Sequence, residues 1–301
     1  MRTIQTLIDA ASLGSVYALM AVGIGLVFGV LRLVNFAYGQ LVMAGAYTLA
    51  LTNDWNPALS IFLCFAVVIG LTMTMEAAAF RPLRNASPAT LLVATFAISF
   101  LLQAIALLKF TIQGKPVATL TGLSRPIGNG DLLVKWISIV AIVVAAVTLA
   151  ALLLLLNRTS LGLQMRAAAT DFRTARLLGV RANSVISFAV LLSGVIAAAV
   201  AVILSTDRIF VTPDFALQDT IIVLVGVVVG GIDRLWSATL GGFAIGFAKG
   251  AFGGFLPTTG SWPFSSGVYL DSVVFALVIL VLVLRPGGLF ERRGQRAVER
   301  V

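Results

Sequence analysis

Mostly apolar stretches of about twenty residues, separated by short polar breaks, recur from one end of this 301-residue chain to the other. A helix of that length spans the roughly 30 Å hydrocarbon core of a bilayer. A soluble fold could not hide so much apolar surface: hydrophobic residues reach 59% and charged residues fall to 11%, where soluble domains carry about 25% charged residues. Lipid is therefore the expected solvent. Hydrocarbon cannot bond to peptide groups, so continuous apolar runs of this length must be helices. The expected fold is all-α, a polytopic helical membrane protein with about eight or nine spans.

The runs place helices at 10–31, 33–52, 57–79, 86–108, 134–156, 184–205, 217–232, 235–255 and 268–285. Two of these are candidate half-helices. The stretch from Thr220 to Ile232 is too short to cross the hydrocarbon at about 1.5 Å per residue, and the segment opening at Asn35 begins on polar residues. Gly-bearing apolar segments also occur in both halves, around Gly39 to Gly45 and Gly226 to Gly246, and such pairs can mark a central binding site. The break at 109–135 holds Gly114, Pro116, Pro126, Gly128 and Gly130 and reads as irregular.

The formal charge of +9 would suggest nucleic acid as a partner in a soluble protein. Here the cations sit in the breaks and no basic stripe is interleaved with aromatics, so the charge reads as topological and no nucleic-acid partner is expected. Arg81 and Arg84, then Arg158, Arg166, Arg173, Arg176 and Arg181, then Arg285, Arg292, Arg293, Arg296 and Arg300 fall on one side if every run crosses once. That side is expected to be cytoplasmic, leaving the N-terminus outside and the C-terminus inside. Asp54, Asp131, Asp207, Asp214 and Asp271 then lie on the outer side. Residues Met1 to Asp9 lack the pattern of a cleavable signal.

Histidine is absent and the one cysteine, Cys64, lies in an apolar run, which removes intrachain disulfides, the usual zinc sites and His-based triads. No lysine is followed by Ser or Thr, so the phosphate-cradling G-x-x-x-x-G-K-[ST] signature is missing. The chain is expected to be no enzyme, with no catalytic residue, metal ligand or cofactor, and any ATP-driven function must draw on a separate subunit. An ion-coupled carrier would hold ionisable groups near the bilayer midplane. Few candidates exist: Glu76 is expected to reach the cytoplasmic interface, Asp9, Asp219 and Asp271 sit at segment ends, and Lys249 either snorkels outward or lines a cavity.

Two constellations remain. The break from Asn157 to Asn183 is rich in Ala and Arg and reads as a cytoplasmic helix from Leu163 to Leu178, punctuated by Gly162 and Gly179. Ala167, Ala168, Ala175, Leu177 and Leu178 would give it an apolar contact surface beside Arg166, Arg173 and Arg176. The second constellation is polar and lies within the spans. Asn35, Tyr38, Gly39 and Gln40 open an apolar run, Thr95, Ser99 and Gln103 share one face of another, and Gly230-Gly231 falls between two short segments where freed backbone could line a path. These residues are candidates to hydrogen-bond a polar solute that an apolar wall would leave unpaired.

Four stretches together call for a family. They are Gly25-Leu26-Val27-Phe28-Gly29-Val30 running into Asn35-Phe36-Ala37-Tyr38-Gly39, with Met43-Ala44-Gly45-Ala46-Tyr47; Arg81-Pro82-Leu83-Arg84; Met165-Arg166-Ala167 with Asp171 and Leu178-Gly179-Val180; and Arg285-Pro286-Gly287-Gly288-Leu289-Phe290. In this order and spacing the chain resembles, over nearly its whole length, the permease subunits of ATP-binding-cassette (ABC) importers for branched-chain amino acids. The resemblance implies one transmembrane permease domain over residues 1–301 with a coupling loop at about 157–183, in a bacterial inner membrane. It also implies a second similar permease or a second copy, two cytoplasmic ATPases and a solute-binding protein. Arg166, Ala167, Asp171, Ala175, Leu178 and Gly179 would form the contact with the ATPase.

The sequence departs from that family in two places. Gly230-Gly231 leads into Ile232-Asp233-Arg234-Leu235-Trp236-Ser237, whose Leu-Trp pair is similar to the urea and short-amide branch, and Tyr38 stands where His is common. Import of urea or short amides is therefore the nearest alternative. A self-sufficient channel or ion-coupled carrier is the alternative from another class.

Overall fold

Small residues decide which helices can meet, and the longest helix carries the most tightly packed seam. In the computed structural model, which describes residues 2–84, 86–120, 122, 126–127, 134–170, 172–180, 182–208, 210–231, 234–255, 272–273, 275–276, 278–280 and 283, helix α1 runs over Arg2–Leu31. It is followed by α2 (Tyr38–Leu51), α3 (Pro57–Met75), a π-helical turn (Glu76–Phe80), α4 (Pro88–Phe110) and α5 (Trp136–Arg158). Then come α6 (Ser160–Thr170), α7 (Phe172–Leu177), α8 (Ala182–Asp207), α9 (Leu217–Gly230) and α10 (Leu235–Phe255). Four two-residue strands make two antiparallel pairs, β1 (Lys115–Pro116) with β4 (Phe210–Val211) and β2 (Pro126–Ile127) with β3 (Val134–Lys135).

Among the described residues, five helices are long and apolar enough to cross a membrane, those spanning Thr3–Leu31, Pro57–Phe80, Ala89–Phe110, Trp136–Arg158 and Asn183–Asp207. Both expected half-helices are short. At 14 residues each, α2 and α9 reach about 21 Å, well under the hydrocarbon thickness. Of the expected span at 268–285, only scattered helical residues such as Ser272, Val273 and Phe275 are described; the rest lies outside the described residues, as do Asp171, Asp233 and Arg285 to Phe290.

Helix starts follow their caps. Asn56 accepts from the amide of Ala58 ahead of Pro57 in α3, and Ser87 accepts from Thr90 ahead of Pro88 in α4. α10 lies antiparallel on α1, with Gly242, Gly246, Gly250 and Gly254 at four-residue intervals. A Cβ at these positions would meet Ala21 and Tyr17, then Gly14, then Ala10, then Thr6. This seam explains why α1 starts at Arg2 and not near residue 10: Thr6 and Ala10 pack on α10, so the polar residues between them stay helical. On the other side, Gly45 of α2 sits on Ala201 of α8 and on Val68 and Cys64 of α3, and Gly194 of α8 sits on Thr72 of α3. Cys64 is thus a small buried packing residue, as its apolar setting suggests. α3, α4 and α5 turn most of their apolar surface outward.

Two further expectations need correction. α2 begins at Tyr38 and not at 33, because Arg32 turns left-handed (φ 53°) and ends α1, leaving 32–37 non-helical. The cytoplasmic helix starts at Ser160, where the Thr159 hydroxyl accepts from the Gly162 amide at 3.0 Å, so Gly162 lies in the first turn of α6, where a Cβ would meet the Leu155 carbonyl oxygen and the close α5–α6 turn requires glycine. Gly179 behaves as expected: it is left-handed (φ 90°), and Val180 N–H closes the turn on the Ala175 carbonyl at 3.1 Å.

The α1–α10 seam predicts that Gly246→Val, whose Cβ would lie 2.8 Å from both Gly14 Cα and Tyr17 Cβ, destabilises the purified protein by about 1–3 kcal/mol. Gly70→Ala, on α3 with nothing within 4 Å, should leave the thermal midpoint unchanged or raised. Midpoints measured in one detergent check both.

Candidate functional site

The non-helical segment 32–37 lies between two helices, so its backbone groups need partners from elsewhere. Asn35 accepts the Ala37 amide on its own side-chain oxygen at 3.0 Å, and the Tyr38 amide reaches the Asn35 carbonyl at 3.4 Å. Thr95 of α4 supplies the rest. Its hydroxyl accepts from the Phe36 amide at 3.4 Å and turns its proton toward the carbonyls of Leu92, at 2.9 Å, and Val34, at 3.4 Å. Asn35 and Thr95 both serve this break, and the bonds they make there are to backbone.

α2 and α4 meet along a seam closed at each end by an aromatic stack. Phe36 lies on Phe96 with ring centroids 4.0 Å apart, and Tyr47 lies on Phe110 at 4.4 Å. Helical periodicity puts Gln40 on the same face of α2 as Tyr47, and Ser99 and Gln103 on the stripe of α4 between Phe96 and Phe110. Gln40 is 1% exposed, yet neither its side-chain nitrogen nor its oxygen has a partner. The Tyr38 and Tyr47 hydroxyls are likewise buried and unpaired. A buried amide with donor and acceptor both open costs about 1–3 kcal/mol per group unless something polar meets it.

The neighbouring glycines set how closely this helix approaches the others. Tyr38 turns toward α1, where any side chain at Gly23 would collide with its ring and hydroxyl, and Gly39 faces α9, where a Cβ would lie 2.5 Å from the Thr220 hydroxyl. Gly230 and Gly231 do not join the seam: they close α9 against Ser237 and Gly241 of α10, with Gly231 left-handed (φ 104°).

A second polar cluster, which the sequence does not reveal, joins Tyr17 of α1, Arg208 after α8, Asp219 of α9 and Lys249 of α10. Asp219, on the first turn of α9, is 2% exposed. It accepts from the Tyr17 hydroxyl at 2.6 Å and from Arg208 at 2.5 Å, and Lys249 stands 3.9 Å away. Arg208 also donates to the Phe215 carbonyl at 2.8 Å. Lys249, 17% exposed in its side chain, thus faces a carboxylate inside the bundle and does not snorkel. Glu76 departs from expectation as well. It is 4% exposed and paired with Arg84, so it does not reach the interface as a free carboxylate.

In the loop between α5 and α8, Ala168 and Ala175 are buried, Ala167 is half-buried, and Arg166 and Gly179 are exposed. Leu177 and Leu178 are 85% and 81% exposed, an apolar pair at the end of α7. Arg166 donates to the Asn157 side chain at 3.3 Å, and Arg32 donates to the Ala169 carbonyl at 2.8 Å.

Comparison with known proteins follows this geometry. A family described as branched-chain amino acid transport system / permease component matches residues 6–283. The high-affinity branched-chain amino acid transport system permease protein BraD of Pseudomonas aeruginosa is 30% identical over an alignment of 312 residues, covering 99% of this chain and 98% of BraD. The corresponding protein LivH of Escherichia coli strain K12 is 27% identical over 312 residues, covering 99% of this chain and 97% of LivH. Among solved structures, PsaBC from Streptococcus pneumoniae in complex with Fab superposes with a TM-score of 0.50 at 12% identity, over 91% of this chain and 90% of that one, a likeness of fold alone.

The buried cluster predicts that Asp219→Ala, which strips Arg208 and Lys249 of their carboxylate, lowers stability by on the order of 3 kcal/mol. Lys249→Met, at the looser contact, should cost far less. Thermal midpoints of the two variants check the ranking.

Proposed function

The chain belongs to the branched-chain amino acid transport permease family, and from that premise we propose that it is the membrane subunit of an ABC importer carrying branched-chain amino acids. Its task is binding and release without covalent chemistry. The single observation that carries a solute path through this chain is the buried, unpaired amide of Gln40 on the α2–α4 seam. With Ser99 and Gln103 on the facing stripe of α4, and aromatic stacks at both ends, the seam offers donors and acceptors to an ammonium or carboxylate and apolar rings to an aliphatic side chain, while the unpaired Tyr38 hydroxyl lies on the α1 side of α2 as a further polar group of the path. Asn35 and Thr95 then serve the path indirectly by holding the break open, and Gly39, Gly230 and Gly231 by letting helices close around it.

Energy comes from elsewhere, since the chain carries no phosphate-binding loop. The loop at 157–183 is the surface that cytoplasmic ATPases would grip, with exposed Leu177 and Leu178 as its apolar knob, Arg166 and Gly179 also exposed and Ala167 half-buried; buried Ala175 would support that surface from beneath, and Asp171 belongs to it by the sequence pattern. A second permease copy or homologue and a solute-binding protein complete the assembly. Closure of the ATPases would move this loop and switch the path between inward- and outward-open forms. Residues 1–301 act as one transmembrane domain on this reading.

ATP-dependent uptake of labelled leucine by proteoliposomes holding the whole assembly tests the proposal. Uptake of labelled urea in place of leucine would move the chain to the short-amide reading that Leu235-Trp236 favours, and uphill uptake by this chain alone on an ion gradient would remove the importer reading. Gln40→Leu should cut leucine uptake by about tenfold while leaving ATP hydrolysis in place. Full uptake in that variant would take the seam out of the path.

Sidedness is proposed with the N-terminus outside. Two opposed polar ends support it: Arg32, Arg84 and Arg166 are tied to the 157–187 region, while Lys135, Asp207 and Asn53 gather with the 115–119 segment and its neighbours. In a Cys64→Ser background, exposed Gln113→Cys should react with an impermeant thiol reagent from outside, and exposed Ser184→Cys only from the cytoplasmic side. Equal reaction from one side would reverse the assignment.

A further inference from the structure

The Arg81-Pro82-Leu83-Arg84 turn between α3 and α4 has no task in the function described above, yet its last residue reaches the helix that leaves the coupling loop. We propose that Glu76 and Arg84 are positioning residues whose ion pair ties the α3–α4 turn to the start of α8 and so transmits movement of the coupling loop to α3 and α4. This inference rests on the reading of the 157–183 loop as the ATPase-facing surface.

The geometry is a clamp across three segments. Glu76 opens the π-helical turn, in which the Arg81 amide donates to the Glu76 carbonyl at 2.8 Å, five residues back. The extra residue in that turn breaks the regular α-helical register between Glu76 and the residues that follow, and such single π turns recur at functional positions. One carboxylate oxygen of Glu76 accepts from Arg84 and, at 3.0 Å, from the Ser187 hydroxyl. The other guanidinium nitrogen of Arg84 donates to the Asn183 side chain. Asn183 and Ser187 are one turn apart on α8, whose first residue, Ala182, follows Gly179 by three. Glu76 is buried and Arg84 half-buried, with side-chain exposures of 6% and 13%.

Above the clamp the same two helices have no slack. Thr72, one turn before Glu76, presses on Gly194, where a Cβ would lie 2.8 Å from the Thr72 hydroxyl. α3 and α8 are therefore fixed in register at two levels. An apolar contact at the lower level would allow sliding, whereas a forked guanidinium bonded to one group on each helix does not. Stability alone gives no reason for the arrangement, because a buried ion pair adds little over well-packed apolar residues. Transmission of a displacement does give one.

The test measures ATP hydrolysed per solute imported, in one preparation of proteoliposomes holding the complete assembly. Glu76→Gln should raise that ratio about fivefold with hydrolysis nearly unchanged, and Asn183→Ala and Ser187→Ala, which keep the ion pair, about twofold. A purely structural role would lower the amount of assembled transporter and leave the ratio alone, so an unchanged ratio in these variants overturns the clamp. If Glu76→Gln fails to assemble, the two α8 variants decide by themselves. Leu178→Asp is the control on the loop: if it uncouples while the clamp variants do not, only the clamp fails, and if the unaltered assembly shows no ATP-dependent uptake, the underlying reading fails with it.

Discussion

Hydrocarbon offers a peptide group no partner, and each N–H or C=O left open in it costs several kcal/mol. That cost decides where this chain can leave the helix. At the ends of the bundle it is met by water and by small strand pairs such as β1 with β4. Between α1 and α2 it is met by side chains: Asn35 bonds its own turn, and Thr95 comes in from α4 to serve Val34 and Phe36. The break therefore depends on a helix 59 residues away in sequence, and that helix is held to α2 by the same contacts and by the two aromatic stacks. Loss of Thr95 would leave both sides of the arrangement unsupported.

Two buried carboxylates divide the remaining electrostatic work. Asp219 draws α1, the end of α8 and α10 onto the start of α9 through Tyr17, Arg208 and Lys249. Glu76 joins the α3–α4 turn to the start of α8 through Arg84 and Ser187. α8 is thus anchored near both its ends by acids on other helices, while its middle packs on glycine and alanine against α2 and α3. A helix held this way moves as a rod. The bonds at its ends must stretch or exchange before its packing does, because close-packed interfaces switch between discrete arrangements and do not deform continuously.

The spans are legible because hydrophobicity and length are local properties: every expected run that falls within the described residues holds a helix, and the two short ones are 14 residues each. Gly179 was legible for the same reason, as a local stop signal that takes its left-handed turn. What escaped depends on contacts between distant residues. The start of α1 is set by α10, the burial of Glu76 by Arg84 and α8, and the partner of Lys249 by a residue on another helix. Tyr17 and Asp219 are 202 positions apart, and no spacing rule joins them. One local signal does reach across the chain: Gly242, Gly246, Gly250 and Gly254 recur every four residues, the period of a helix face built for close approach, and that face pairs α10 with the small residues of α1.

Within one seam the chain treats polar groups in two opposite ways. Asn35 and Thr95 have their hydrogen bonds made, and removing either would open backbone. Gln40, a helical turn further along, has neither amide atom bonded, and the Tyr47 hydroxyl is also open. Leucine at position 40 would bury as well and avoid a penalty of about 1–3 kcal/mol per orphaned group, so stability favours its replacement. On the proposed reading that penalty is a property of the empty path. A solute or water passing the seam meets groups already oriented and short of partners, and gains most where the chain alone is least satisfied. The saturated break keeps its shape during that exchange because none of its own bonds has to be given up.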